Sequence, residues 1–170
     1  MTGPTRILGI DPGLTGALAL LDLASPGTVV VNDMPKVHKE VDPAGLADAI
    51  RQFAPDIAVL EEVGPMPHDG VKQAFSFGQS YASARVACLL LHVPLHLVRP
   101  QAWKGHFRLR GGPEGKELGR ALALRRFPAS AKSFDLKKHH NRAEAALLAL
   151  YGREKLLAHP PSPSATGVPD

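Results

Sequence analysis

Three short apolar runs crowd into the first 32 residues, separated by turn chemistry, and this pattern constrains the fold more than any other. Arg6–Ile10 (RILGI) is rich in branched residues and stops at Asp11-Pro12-Gly13. Leu14–Leu23 (LTGALALLDL) stops before Ser25-Pro26-Gly27, and Thr28–Asn32 (TVVVN) follows. Runs of this length bounded by Gly and Pro read as strands, here a three-stranded meander.

The rest of the chain alternates helix and strand patterns. Asp42 is a helix N-cap with Pro43 at the first helical position, and Leu46, Ile50 and Phe53 recur at helical spacing. Asp56–Leu60 (DIAVL) is a fourth strand, which runs into Glu61-Glu62 and a loop at Val63–Asp69. A long helix is expected from Gly70 to about Leu91, then a fifth strand at His92–Val98. Pro100–Phe107 reads as a short helix and Arg108–Pro113 as a flexible basic loop. Glu114–Phe127 and Asn141–Leu157 read as two further helices. A meander followed by βα units predicts an α/β fold: a five-stranded mixed sheet flanked by helices. Residues 1–157 are expected to form one domain, and 158–170, rich in Pro and Ser, a disordered tail.

Charge is divided along the chain. Between Arg99 and Arg142 there are twelve Lys and Arg against three acids, a net +9, so the remainder of this +4 protein carries −5. A basic block joined to an acid-bearing half suits a protein that grips phosphates and holds cations. No run approaches the roughly 20 apolar residues of a membrane helix. The N-terminus lacks the basic, apolar and cleavage regions of a signal peptide. The single cysteine, Cys88, lies in an apolar run and reads as a small buried hydrophobe. With no partner for an internal disulfide, the expected setting is reducing and cytoplasmic.

Three acids stand where elements end. Asp11 closes the first strand, Glu61 closes the fourth, and Glu144 lies near the start of the last helix. Ligands of α/β sheets meet the protein at strand ends. Neighbouring first and fourth strands would let these carboxylates share a pair of divalent cations. Magnesium takes oxygen ligands and keeps several waters, so a few carboxylates plus substrate phosphate suffice. Two such ions can activate a water and stabilise a leaving oxygen. Glu61 and Glu62 face opposite sides of a strand, and Glu61 is the better candidate for the site. His140 and Glu144, four apart, share a helix face. His140 is a candidate ligand or proton shuttle, with His139 beside it as the alternative.

These motifs resemble a known family. Ile7-Leu8-Gly9-Ile10-Asp11-Pro12-Gly13-Leu14-Thr15-Gly16-Ala17-Leu18 is similar to the opening strand and turn of the RuvC Holliday junction resolvases. Val59-Leu60-Glu61-Glu62 resembles the strand with their second carboxylate, and Arg142-Ala143-Glu144-Ala145-Ala146-Leu147-Leu148-Ala149 the helix with their last acid. Within the family the plant chloroplast resolvase and its bacterial and phage relatives look most similar. They share the Gly-Ala-Leu-Ala-Leu after the first Asp, an Ala-Trp-Lys like Ala102-Trp103-Lys104, and a His four before the final acid. Many bacterial members instead space the third and fourth ligands three apart and end in Asp. That spacing would place Asn141 in the third position.

The resemblance covers residues 6–152 and implies an RNase H-like fold. It implies Asp11, Glu61, His140 and Glu144 as catalytic, metal-binding residues holding two Mg2+ ions, with Mn2+ able to substitute. It further implies a homodimer that nicks two opposed strands of a four-way DNA junction, leaving 5′-phosphate and 3′-hydroxyl ends. The long helix from Gly70 would supply much of the dimer contact. Its start, with Lys72, Phe75 and Phe77, would meet the junction centre, where an aromatic can stack on an unpaired base; core or dimer packing is the alternative for both rings. Lys104, Arg108, Arg110 and Lys116 are phosphate-contact candidates, and Trp103 a core anchor.

Other readings share some of these residues. An RNase H-like nuclease acting on flaps, single strands or RNA would keep the same acids. Asp11-Pro12-Gly13 with Thr15-Gly16 also resembles the phosphate loop of sugar kinases and actin-like ATPases, but 170 residues are too few for their two lobes. A DNA-binding protein without catalysis would not need all the acids.

Overall fold

A computed structural model describes residues 5–64 and 70–157. Five strands form the main sheet: β1 (Arg6–Asp11), β2 (Ala17–Asp22), β3 (Val29–Asp33), β6 (Ile57–Glu61) and β7 (Leu95–Val98), in the order β3-β2-β1-β6-β7. β1, β2 and β3 form the antiparallel meander, while β6 and β7 run parallel to β1. A hairpin of two-residue strands, β4 (Lys36–Val37) and β5 (Glu40–Val41), was not foreseen from the sequence. The helices are α1 (Pro43–Phe53), α2 (Val71–Leu90), α3 (Pro100–His106), α4 (Gly112–Arg126) and α5 (His140–Tyr151), the last continued by a π-helical turn at Gly152–Leu157.

Several expected boundaries shift for physical reasons. Leu14–Gly16 is a turn, because Gly16 packs so closely on Asp11 that a Cβ there would sit 2.0 Å from the Asp11 carbonyl oxygen. His92–Pro94 precede β7, with His92 in the left-handed region at φ 55°. Gly112 and Pro113, expected in the basic loop, begin α4, with Pro in the first turn where its missing N–H costs nothing. Residues 65–69 of the expected Val63–Asp69 loop lie outside the described residues, as does the Pro- and Ser-rich tail.

The strand period of two divides the core. Leu8, Ile10, Leu18, Leu20, Ala58 and Leu60 face one side, where α1 and α2 supply Leu46, Ile50, Phe53, Ala84, Ala87 and Cys88. Asp42 caps α1 by accepting the Ala44 N–H at 3.1 Å. Ile7, Ala17, Ala19, Leu21, Ile57 and Val59 face the other side, covered by α5 and, outside it, α4.

Because α5 is sandwiched between sheet and α4, it is apolar nearly all round, as a buried helix must be. It lies directly on β1: a Cβ on Gly9 would sit 2.0 Å from the carbonyl oxygen of Ala145. The same close approach recurs at Gly152, where a Cβ would sit 2.8 Å from Val59 Cγ2. Gly9 and the small residues of α5 thus let the helix cross the sheet at near backbone contact, with its N-terminal turn at the ends of β1 and β6.

Candidate metal centre

The parallel register of β1 and β6 assembles the first half of the site. Ile10 pairs with Leu60, which sets the next residues, Asp11 and Glu61, side by side at the strand ends. Both continue the rows that face α5, after Ile7-Gly9 and Ile57-Val59. Glu144, in the first turns of α5, completes the group. Ligand oxygens of Asp11, Glu61 and Glu144 all lie within 4.8 Å of one another. Asp11 is 8% exposed and Glu61 6%, while Glu144 reaches partly to solvent.

Like charges this close and this buried oppose ionisation. The Asp11 carboxyl is held well above its ordinary range, first by burial, then by Glu144 and Glu61, against the pull of Lys104 and Lys116. Glu61 is also raised, by burial above all and by Glu144, against the lowering bond from Trp103 and the charge of Lys104. A trio of hard oxygen donors whose negative charges are mutually costly is the donor chemistry that a divalent cation satisfies.

α3 supplies the support. Pro100 starts it beyond the end of β7, and Trp103 and Lys104 both turn toward the acids. Trp103 is fully buried, and its Nε1–H donates to Glu61 Oε1 at 2.8 Å. Lys104 Nζ lies 3.5 Å from Glu144 Oε1 and 5.0 Å from the Trp103 ring centre. Trp103 is therefore a core anchor that also orients a candidate ligand. The Ala102-Trp103-Lys104 motif pointed to this segment, but nothing local shows that the indole reaches a carboxylate 42 residues away.

Glu62 turns aside, paired with Arg99 at 3.3 Å. His139 is buried against Arg142, Asp135 and the Leu136 N–H, each at 3.3 Å, and so belongs to the support of α5. His140 begins α5 and lies outside the acid trio. Its ring approaches Lys116 Nζ and the Lys137 carbonyl, each at 3.5 Å. Arg142 grips Asp33 at the end of β3 with two bonds of 2.6 and 2.7 Å. Asn141 Nδ2 donates to the Thr15 carbonyl at 2.6 Å and to its hydroxyl at 3.2 Å.

Some of the candidate DNA-contact residues border the acids: Lys104, Arg110 and Lys116 line a small hollow with Glu144. A cleft of about 710 Å³ opens beside Glu61, with Gln73 and Phe77 of α2 on one wall and Arg99, Gln101 and Lys104 on another. Phe77 also packs at the β1–β2 turn, 3.5 Å from where a Cβ of Gly13 would stand. Phe75 and Lys72 project to solvent, Phe75 at 68% exposure. Arg108 and Arg110 are exposed on the α3–α4 connection, and Lys116 is exposed on α4 beside His140.

No protein-family model and no curated protein matches the chain. Solved structures do. Thermus thermophilus RuvC matches with a TM-score of 0.57 at 20% identity, over 88% of this chain and 96% of that one. The same RuvC in complex with a Holliday junction substrate matches with a TM-score of 0.56 at 18% identity, over 89% and 96%. The yeast mitochondrial Holliday junction resolvase matches with a TM-score of 0.54 at 12% identity, over 85% and 76%. Among the described residues no helix is long and apolar enough to cross a membrane. The chain thus has a RuvC-like α/β fold, and its largely buried acidic trio stands where three separate elements converge.

Proposed function

We propose that this protein is a metal-dependent endonuclease that resolves four-way DNA junctions by nicking two opposed strands. The observation that carries the reading is the convergence of Asp11, Glu61 and Glu144 from β1, β6 and α5 within 4.8 Å, on this fold and beside a basic surface. In this reading the trio holds two Mg2+ ions, with Mn2+ able to substitute, and His140 is the fourth group. Such ions supply Lewis-acid stabilisation of developing charge and a water of lowered pKa. Trp103 fixes the orientation of Glu61, and Lys104 balances the charge of Glu144.

The remaining roles follow the surface. Lys104, Arg108, Arg110 and Lys116 bind phosphates flanking the cut. Phe75 and Phe77, with Lys72, contact the junction centre, and the exposure of Phe75 supports stacking on an unpaired base. Exposed Val86, Leu89 and Leu90 on α2 support a homodimer, which would present two cutting sites to a symmetric junction. Within that family we read the motifs around Asp11, Trp103 and His140 as most similar to the chloroplast-type branch and its bacterial and phage relatives. Any branch-migration helicase would be a partner beyond this site.

The acids alone do not select a substrate, so the test is a comparison. End-labelled four-way junction, flap, single strand and RNA–DNA hybrid would be cut side by side with Mg2+. The junction should be cut fastest. Faster cutting of a flap or hybrid would refute the junction assignment and make this another RNase H-like nuclease with the same centre.

A further inference from the structure

We infer that Asn141 is a positioning residue: it sets the spacing of Asp11 and Glu144 by clamping the β1–β2 turn to α5, and it acts through that turn rather than as a cation ligand. The inference rests on the metal-centre reading above.

The turn that follows Asp11 is tightly folded. Gly13 adopts φ 140°, and the Gly16 N–H donates to the Gly13 carbonyl at 3.0 Å. The Met34 N–H in turn donates to the Gly16 carbonyl at 2.9 Å. A side chain at Gly16 would collide with Asp11. The segment from Asp11 to Gly16 is therefore held as one compact turn, with Thr15 exposed at its tip. Asn141 reaches that tip from α5, at a sequence distance of 126 residues. A carbonyl oxygen only accepts, so the amide nitrogen must face Thr15, and the orientation of the amide is settled by chemistry.

The bond ties two segments that would otherwise push apart. Asp11 heads the turn, and Glu144 lies three residues beyond Asn141, on the same helix face. Their carboxylates repel when ionised. The Asn141–Thr15 clamp and the Arg142–Asp33 pair fix the first turn of α5 against the ends of β1 and β3. A ligand spacing of three would give position 141 to the metal; here the structure commits its amide nitrogen to the turn.

Aspartate at this position separates the two roles. A carboxylate cannot donate to the Thr15 carbonyl, yet it is a better cation ligand than an amide. Mn2+ alone would be titrated by calorimetry into wild type, Asn141→Asp, Asn141→Ala and Thr15→Val, with melting in chelator as a check on folding. Groups that orient metal ligands typically contribute roughly 10- to 100-fold in affinity, so Asn141→Asp and Asn141→Ala should both bind Mn2+ more weakly by about this factor. Thr15→Val should lose less, because the shorter bond goes to the backbone. It also leaves α5 untouched should the Asn141 variants melt early. Equal or tighter Mn2+ binding by Asn141→Asp would overturn the clamp in favour of a ligand, and unchanged binding by Asn141→Ala would overturn it outright. Absence of Mn2+ binding by wild type would overturn the metal centre itself, and the inference with it.

Discussion

Replacing Asp11 with Asn should stabilise the protein in chelator while abolishing its cutting. The carboxylate is 8% exposed and has two others within 4.8 Å. Two unit charges 4.8 Å apart repel by about 3.5 kcal/mol at an effective dielectric of 20. Lys104 and Lys116 return part of that, leaving a net gain of about 1–3 kcal/mol for the neutral amide. For a chain of this size, 1 kcal/mol moves Tm by about 2–4 °C, so the variant should melt roughly 3–10 °C higher at pH 8. The pH dependence has a definite sign. Folding raises the Asp11 pKa above 3.8, so the carboxyl is harmless while protonated and destabilises as pH rises through its folded value. The advantage of Asn should therefore be absent near pH 4 and grow toward pH 8. Added Mn2+ should reverse the order, since it stabilises the wild type by binding only the folded state. The assay is thermal melting across pH, with and without Mn2+. An unchanged or lower Tm for Asp11→Asn at pH 8 in chelator would refute the electrostatic account of the site.

Three further outcomes follow from other contacts. Trp103→Phe keeps the core filled but removes the bond that lowers the Glu61 pKa; Glu61 should rise further, and the acid limb of the pH–rate profile should move to higher pH, whereas an unmoved limb would contradict the role given to the indole. Gly9→Ala would force α5 off β1 and should cost about 3 kcal/mol or more, read as a loss of Tm or of soluble protein. Phe75→Ala, at an exposed position, should change stability by less than about 0.5 kcal/mol. It should weaken junction binding by about 1–3 kcal/mol in a gel-shift titration; unchanged binding would remove Phe75 from the interface.

The parts of this architecture that were legible in the sequence are those written in local pattern. Asp11 and Glu61 each terminate an apolar run, and their meeting follows from β1 and β6 being parallel neighbours in register. Glu144 was legible as an early acid on an apolar helix. What lay outside reach depends on contacts between distant segments. Trp103 to Glu61, Asn141 to Thr15 and Arg142 to Asp33 join residues 42, 126 and 109 positions apart. The β4–β5 hairpin has two residues per strand, too few to show a period. Leu14 and Gly16 carried the hydrophobic signal of a strand start, but the steric demand of Gly16 on Asp11 turned them into a loop. His139 and His140 are chemically alike in sequence; burial against Arg142 and Asp135 distinguishes the first, and the side chain of Lys116 meets the second.

The most direct test of a metal-dependent resolvase is a denaturing gel of a four-way junction labelled on each strand in turn. Wild type would be compared with Asp11→Asn, in Mg2+ or Mn2+ and then in chelator. Paired nicks at symmetric positions on two opposed strands, lost in chelator and lost in Asp11→Asn, are the predicted result. Intact junctions in the presence of metal, or nicks that survive in Asp11→Asn, would contradict it.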